Sequence, residues 1–217
     1  MALKIYVPPH PFIGNLLAVC RDEHTPTPVF RGAVADLGRW LAYECVRDWL
    51  PVIEVGVRTP LEVVAPAKVI DPTVPVALVP VLRAGLAMLE GVQPLLSAAS
   101  VYHLGYARDE ATLEANCYLD RLPKRFAEGT RVMVLEPMLA TGGTILATIE
   151  RLERAGADLE QIRILSVICA PPALQKLGLR YPQLVVYAAM IDEHLDERGF
   201  IVPGLGDAGD RAFGTGH

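Results

Sequence analysis

The stretch Glu136-Pro137-Met138-Leu139-Ala140-Thr141-Gly142-Gly143-Thr144 puts a carboxylate first, then two hydroxyls around two glycines. It lies between an apolar run and a segment with helical spacing. Glu136 closes the run 131–136, which reads as a buried strand, so its carboxylate is expected at the rim of a sheet. Thr141 to Thr144 then open a helix. The first turn of a helix leaves backbone amides unpaired and carries partial positive charge, so it attracts anions. Two glycines let a bulky anion approach the main chain, and two hydroxyls add donors. This pattern suits one phosphate monoester. A carboxylate a few ångströms away suits vicinal hydroxyls, and phosphate beside a diol describes a ribose 5-phosphate. The competing reading is that Thr144 caps the helix and the glycines only turn the chain. No G-x-x-x-x-G-K-[ST] sequence occurs, which excludes a P-loop.

Arg83 follows a wholly apolar strand, where a cation needs an anion. Diphosphate fits, because a guanidinium fork matches phosphate oxygens; an ion pair with a local acid is the alternative. Arg108, beside Asp109 and Glu110, reads by itself as a solvated charge. The tail carries "GLGDAG" (204–209), a match to G-x-G-x-x-G. A dinucleotide fold would need a helix, a further strand and an acid about 20 residues on. Eight residues follow Gly209, so that reading fails on length. The five histidines are scattered without metal-ligand spacing. Asp192 and Glu193 end a strand, and the pair is placed to hold the tail or a metal-bound water.

The elements that must position these residues alternate. Residues 75–82, 100–106, 131–136, 162–170 and 184–191 read as strands. The segments between them at 85–96, 144–156 and 171–182 read as helices, with Ile145, Ile149 and Leu152 turned inward and Gly156 as a stop. Val34, Leu37, Leu41 and Cys45 form one stripe of a helix over 33–50. Residues 1–30 read as an irregular, proline-rich arm, 59–72 as short edge strands, and about 106–123 as a protruding hairpin. The alternation implies a mostly parallel sheet with helices on both faces, and ligands bind beyond the carboxyl ends of such strands. Arg83, Glu136 to Thr144, and the stretch after Ile191 all fall at such ends.

The chain has 217 residues, 52% of them hydrophobic and 21% charged, which fits one soluble α/β domain over 1–217. A net charge of -5 argues against a nucleic-acid partner. Four widely spaced cysteines argue against a disulfide framework and suit a reducing cytoplasm. No signal peptide or membrane span is expected.

The 136–144 stretch resembles the loop that binds phosphoribosyl diphosphate (PRPP) in type I phosphoribosyltransferases, and its "PMLATGG" wording is that of the uracil-specific members. "VPVLRAGLAM" (79–88), "RDEATLE" (108–114) and "IVPGLGDAGDRAFGT" (201–215) match the same enzymes in the same order. The resemblance implies a type I phosphoribosyltransferase fold with a hairpin and a small hood built from terminal segments. It implies transfer of the 5-phosphoribosyl group to N1 of uracil, giving UMP and diphosphate in pyrimidine salvage. PRPP contacts are implied for Arg83, Arg108, Glu136, Pro137, Met138, Leu139, Ala140, Thr141, Gly142, Gly143, Thr144 and Asp207. Catalytic roles are implied for Glu136, Asp207 and Arg108, with the hairpin covering the site. Ile201, Gly206, Asp207 and Ala208 are implied around uracil, which backbone groups can read through O2, O4 and N3–H. Cytosine carries an amine where uracil carries O4, and a backbone amide left unpaired there costs about 1–3 kcal/mol. Mg²⁺ on the PRPP diphosphate, a homodimer or higher homo-oligomer, and GTP as an allosteric activator complete the expectation. Two features depart from the resemblance: Glu136 stands where aspartate is usual, and Ala107 where tyrosine is usual. A PRPP- or UMP-sensing regulator on the same fold, and an enzyme for another base, stay open as alternatives.

Overall fold

The computed structural model describes residues 2–108 and 115–215, apart from the side chains of Arg108 and Ala115. In chain order the elements are β1 (Lys4–Tyr6), α1 (Pro11–Arg21), α2 (Thr27–Val46), β2 (Val52–Arg58), β3 (Val64–Ile70), β4 (Val76–Leu82), α3 (Gly85–Val92), β5 (Ser100–Val101), β6 (Leu104–Arg108) and β7 (Ala115–Asp120). They continue as β8 (Arg131–Leu135), β9 (Met138–Leu139), α4 (Gly143–Arg154), β10 (Ile162–Cys169), α5 (Pro171–Arg180), β11 (Val185–Ile191), β12 (His194–Leu195), β13 (Ile201–Val202) and α6 (Ala208–Phe213).

Among the described residues the main sheet runs β1-β11-β10-β8-β4-β6-β7, with β5 on β4 and β9 on β10. Every pairing in it is parallel except β6 with β7. The central strands are buried on both faces, as their unbroken apolar runs require. Alternate residues feed two cores. Leu78, Met133, Leu135 and Leu165 pack with α1, α2 and α3. Ala77, Val79, Val132, Val134 and Ile164 pack with α4 and α5 on the other face. The predicted stripe Val34, Leu37, Leu41 and Cys45 is buried in the first core, and Ile145, Ile149 and Leu152 in the second.

Strand order fixes where the loops meet. From β4 the chain moves out to β6, then returns to the other side of β4 as β8. The crevice at such a reversal is the usual ligand position in an open α/β sheet. Here it lies between the carboxyl ends of β4 and β8, where Pro80 pairs with Leu135. Arg83 and Glu136 leave from those two neighbouring ends.

Four expectations need correction. Residues 1–30 are not irregular: β1 pairs with the sheet edge at β11, and α1 packs on α2. Proline enrichment hid α1, because its proline sits at the first turn, where no amide is missed. The strand over 100–106 is two strands. Leu78 O accepts from the Tyr102 amide, so Pro80, two residues on, faces the same neighbour without an N–H to donate. The ladder breaks there and resumes at Val81 with Leu104. The helix over 85–96 ends at Val92, because Pro94 lacks the amide that would continue it. The edge strands over 59–72 belong to a longer antiparallel ribbon, β2 with β3, which largely faces solvent.

Helices α2 and α3 cross with their backbones touching. A Cβ at Gly91 would lie 1.8 Å from Ala35 O. Gly91→Ala is therefore expected to force the helices apart and cost about 3 kcal/mol, at the upper end for overpacking. Chemical denaturation of the variant against the wild type measures it.

Candidate active site

Gly142 and Gly143 stand at the turn into α4. Gly142 is the N-cap residue, at φ 87°, and no side chain caps the helix. The reading of Thr144 as the cap is thus overturned; Thr144 sits one residue inside α4. A Cβ at Gly142 would meet Ala173 Cα at 3.1 Å, whereas one at Gly143 would meet nothing within 4 Å. The first of these glycines answers a backbone need, and the second leaves space open. The first intrahelical bond of the turn runs from the Leu146 amide to Gly142 O at 3.1 Å, and helix geometry leaves the amides before it without helical partners.

These residues line a cleft of about 150 Å³. Its walls are Glu136, Met138, Leu139, Ala140, Thr141, Gly142, Gly143, Thr144 and Ile145, together with Gly199 from the tail. Pro137 stands apart from the walls: its carbonyl accepts from the amides of Val167 and Ile168, and from Ser166 Oγ. Met138 and Leu139 form a short strand on β10, so the loop starts as an extension of the sheet. Nothing in their spacing announces that strand.

Glu136 is buried, and its Oε2 has no hydrogen-bond partner. Burial pushes its carboxyl up to about 8. Tyr106 on β6 and Cys169 at the end of β10 both sense its negative charge, and both are themselves pushed up by burial. A buried carboxyl oxygen without a hydrogen-bond partner is an exception that calls for an explanation, and this one belongs to a residue of the cleft wall.

Arg83 sits at the end of β4 with its guanidinium half exposed. Nη2 contacts Asp210 Oδ1 at 2.7 Å and Nη1 donates to Thr215 Oγ1 at 3.0 Å. Without a ligand, then, the local acid holds it, and that acid belongs to the tail. The backbone of Arg108 ends β6 opposite Ala115, which gives the hairpin its two strands. The Arg108 side chain, Asp109 and Glu110 lie outside the described residues.

The tail is more ordered than its glycines suggest. β12 and β13 form a small antiparallel pair, and Asp207 caps α6 by accepting from the Asp210 amide at 2.9 Å. Ile201 and Ala208 are buried, while Gly206 and Asp207 are exposed. The tail reaches the crevice at two points: Gly199 on the cleft wall, and Asp210 on Arg83.

Sequence reasoning missed several residues that hold this arrangement. Lys176 on α5 donates to Thr141 O at 2.9 Å, fixing the loop from outside. Arg21 on α1 pairs with Asp192. Arg211 on α6 donates to the carbonyls of Cys20, Asp22 and Leu205. Apart from the local bond of Arg211 to Leu205, each acts across a long sequence separation, so only the folded chain brings donor and acceptor together. Of the pair Asp192 and Glu193, it is the Asp192 side chain that holds the tail, by accepting from the Gly204 amide.

Residues 7–215 match the family model described as uracil phosphoribosyltransferase. A uracil phosphoribosyltransferase of Nostoc sp. is 58% identical over 98% of each chain. One of Nicotiana tabacum is 51% identical, over 98% of this chain and 95% of its own. Among solved structures, the AQ2163 protein of Aquifex aeolicus superposes with a TM-score of 0.88 at 32% identity, over 97% of this chain and 98% of that one. The APRTase of Giardia lamblia shares the fold alone, with a TM-score of 0.50 at 18% identity, over 83% of this chain and 85% of that one. The chain belongs to the uracil phosphoribosyltransferase family.

Proposed function

We propose that the protein transfers the 5-phosphoribosyl group of PRPP to N1 of uracil, giving UMP and diphosphate, with residues 1–217 acting as one phosphoribosyltransferase domain. One observation carries the reading: Glu136, a buried residue whose Oε2 has no hydrogen-bond partner, and an uncapped, glycine-led helix start line the same small cleft. That pairing suits a sugar with a phosphate at one end and a diol at the other.

In the reaction the N1–C1 bond forms as the C1–O bond to diphosphate breaks, and N1 gives up its proton to the departing diphosphate or to water. The sugar passes through an oxocarbenium-like state, so catalysis rests on alignment and charge. The amides and hydroxyls of Thr141 to Thr144 anchor the 5-phosphate. Met138, Leu139 and Ala140 shape the wall beside the ribose, and Pro137 sets the loop's path through its bonds to β10. Glu136 accepts from the ribose hydroxyls and, once ionised, favours positive charge on the sugar. Arg83 leaves Asp210 and Thr215 for the diphosphate, joined by Arg108 from the hairpin. Asp207 adds negative charge near the sugar, while backbone groups of Ile201, Gly206 and Ala208 read uracil.

Among the described residues no group of three His, Cys, Asp or Glu side chains could hold a metal ion. Mg²⁺ carried on the PRPP diphosphate would offset the leaving group's charge. Four unpaired cysteines suit the cytoplasm. Among the described residues no helix is long and apolar enough to cross a membrane. Exposed Tyr6, Val7 and Phe12 near the N-terminus, with the apolar side chains of β2 and β3, support a homodimer or higher homo-oligomer.

UMP is expected from labelled uracil, PRPP and Mg²⁺, with cytosine, hypoxanthine and orotate each turned over at least about 100-fold less efficiently, since sites built on hydrogen bonds discriminate strongly. Product from hypoxanthine or orotate instead would reassign the base. PRPP binding without any product would favour the regulator. Adding GTP to the same assay tests activation.

A further inference from the structure

Gly204 has both of its backbone polar groups taken by side chains from elsewhere in the fold. Its amide donates to Asp192 Oδ2 at 2.9 Å, and its carbonyl accepts from Arg21 Nη1 at 2.7 Å. The two side chains also hold each other: Arg21 donates to Asp192 Oδ1 at 2.5 Å and to Oδ2 at 3.1 Å. Asp192 is a fixed post. Its side chain is 2% exposed, it follows β11 directly, and its amide donates to Cys169 O at the end of β10 at 2.8 Å. The next carbonyl along the loop, that of Leu205, accepts from Arg211 Nη1 at 2.7 Å. The Arg211 guanidinium lies 4.3 Å from the Phe30 ring centre and also binds carbonyls at the end of α1.

We infer that Arg21 and Asp192 are positioning residues that set the enzyme's affinity for its base by clamping the main chain of Gly204. The inference rests on the proposed reading of Ile201, Gly206 and Ala208 as the base-reading backbone, since Gly204 lies between them. Main-chain donors and acceptors cannot adjust by changing rotamer; their aim is the aim of the loop. Two charged groups converging on one glycine fix that aim from the sheet and from α1 together. A buried ion pair kept only for stability needs no such convergence, because apolar residues of similar volume generally do as well. The clamp stands apart from the phosphate loop, whose outside support is Lys176. Losing it should therefore weaken base binding far more than PRPP binding, whose 5-phosphate and diphosphate are held by the α4 turn and Arg83.

The test is a split in Michaelis constants. Arg21→Lys keeps a cation beside Asp192 but loses the fork that reaches Gly204 and both carboxylate oxygens. Asp192→Asn keeps an acceptor for the Gly204 amide and loses the charge. In Arg21→Lys the KM for uracil is expected to rise at least about tenfold while the KM for PRPP stays within about threefold, because misplacing a binding group by a fraction of an ångström is costly. Asp192→Asn is expected to show the same split. Thermal unfolding is recorded for both, and the split is expected whatever the shift in midpoint. A uracil KM within about twofold of wild type in both variants overturns the inference. So does a parallel rise of both constants. The wild type is assayed first: if it forms no UMP, the proposed activity fails, whereas UMP formation without the split removes the clamp alone.

Discussion

The double variant Thr141→Val, Gly142→Ala is expected to lose PRPP binding while keeping its fold. At φ 87° an alanine at position 142 costs about 1–2 kcal/mol of backbone strain, and its Cβ would press on Ala173 Cα at 3.1 Å. The chain has two ways to relieve that, and both move the loop. Rotating residue 142 re-aims the amides that open α4, and shifting the turn narrows a cleft of about 150 Å³. Valine at 141 removes a hydroxyl donor besides. Hydrogen bonds to a charged group are worth about 1.5–3 kcal/mol each. Losing two removes roughly 4 kcal/mol, or about a thousandfold in affinity. Helix α4 itself persists, because Ile145, Ile149 and Leu152 stay buried. Calorimetric titration with PRPP and a far-ultraviolet spectrum separate the two effects. Near-normal PRPP affinity in a folded variant would mean that the phosphate is held elsewhere.

Glu136→Gln should reduce turnover and stabilise the ligand-free protein, with both effects depending on pH. Burial lifts the folded carboxyl from its ordinary value of 4.5 to about 8. Between those values the unfolded chain has released a proton that the folded chain keeps. Stability therefore falls as pH rises through that window, by roughly 1.4 kcal/mol per unit, and the fall ends above about pH 8. Glutamine has nothing to ionise. The melting temperature of Glu136→Gln is expected to exceed that of wild type by a margin that widens from pH 5 to pH 8. Activity should run the other way. The ionised form accepts from the ribose and favours positive charge on the sugar, so wild-type kcat/KM for PRPP should climb toward pH 8 and level off. The glutamine variant should lack that rise and turn over about 100-fold more slowly. A variant with unchanged rates would show that the ribose is gripped by other groups. A pH profile unaltered by the substitution would assign the titration to another residue.

Much of this site was legible because its chemistry is local. A carboxylate at a strand end, two glycines at a helix start and an arginine after an apolar strand are each readable within ten residues, and parallel α/β order says that such ends gather. The sheet reversal between β4 and β8 turned that expectation into adjacency. What escaped depends on distant partners. Lys176 reads as an exposed helix residue until α5 packs against the phosphate loop. Arg21 and Arg211 carry no signal in the sequence, because their partners lie near the opposite end of the chain. Gly199 carries no signal beyond its type, yet it forms part of the cleft wall. Helix α1 escaped for a different reason: proline was read as a breaker where it serves as a first-turn residue. The fate of Arg83 was a contest between two anions, and sequence could not rank a tail carboxylate against a ligand that arrives later.

The β2–β3 ribbon packs chiefly on itself, with Val52, Ile53, Val57, Val64, Val69 and Ile70 facing outward. Two strands by themselves hold together poorly in water, since neither face is dry. Its amides over 52–70 should thus act as a gauge of self-association. In a concentrated sample where copies cover the ribbon, hydrogen exchange there slows toward that of the sheet; on dilution it quickens first, ahead of any change at the cleft.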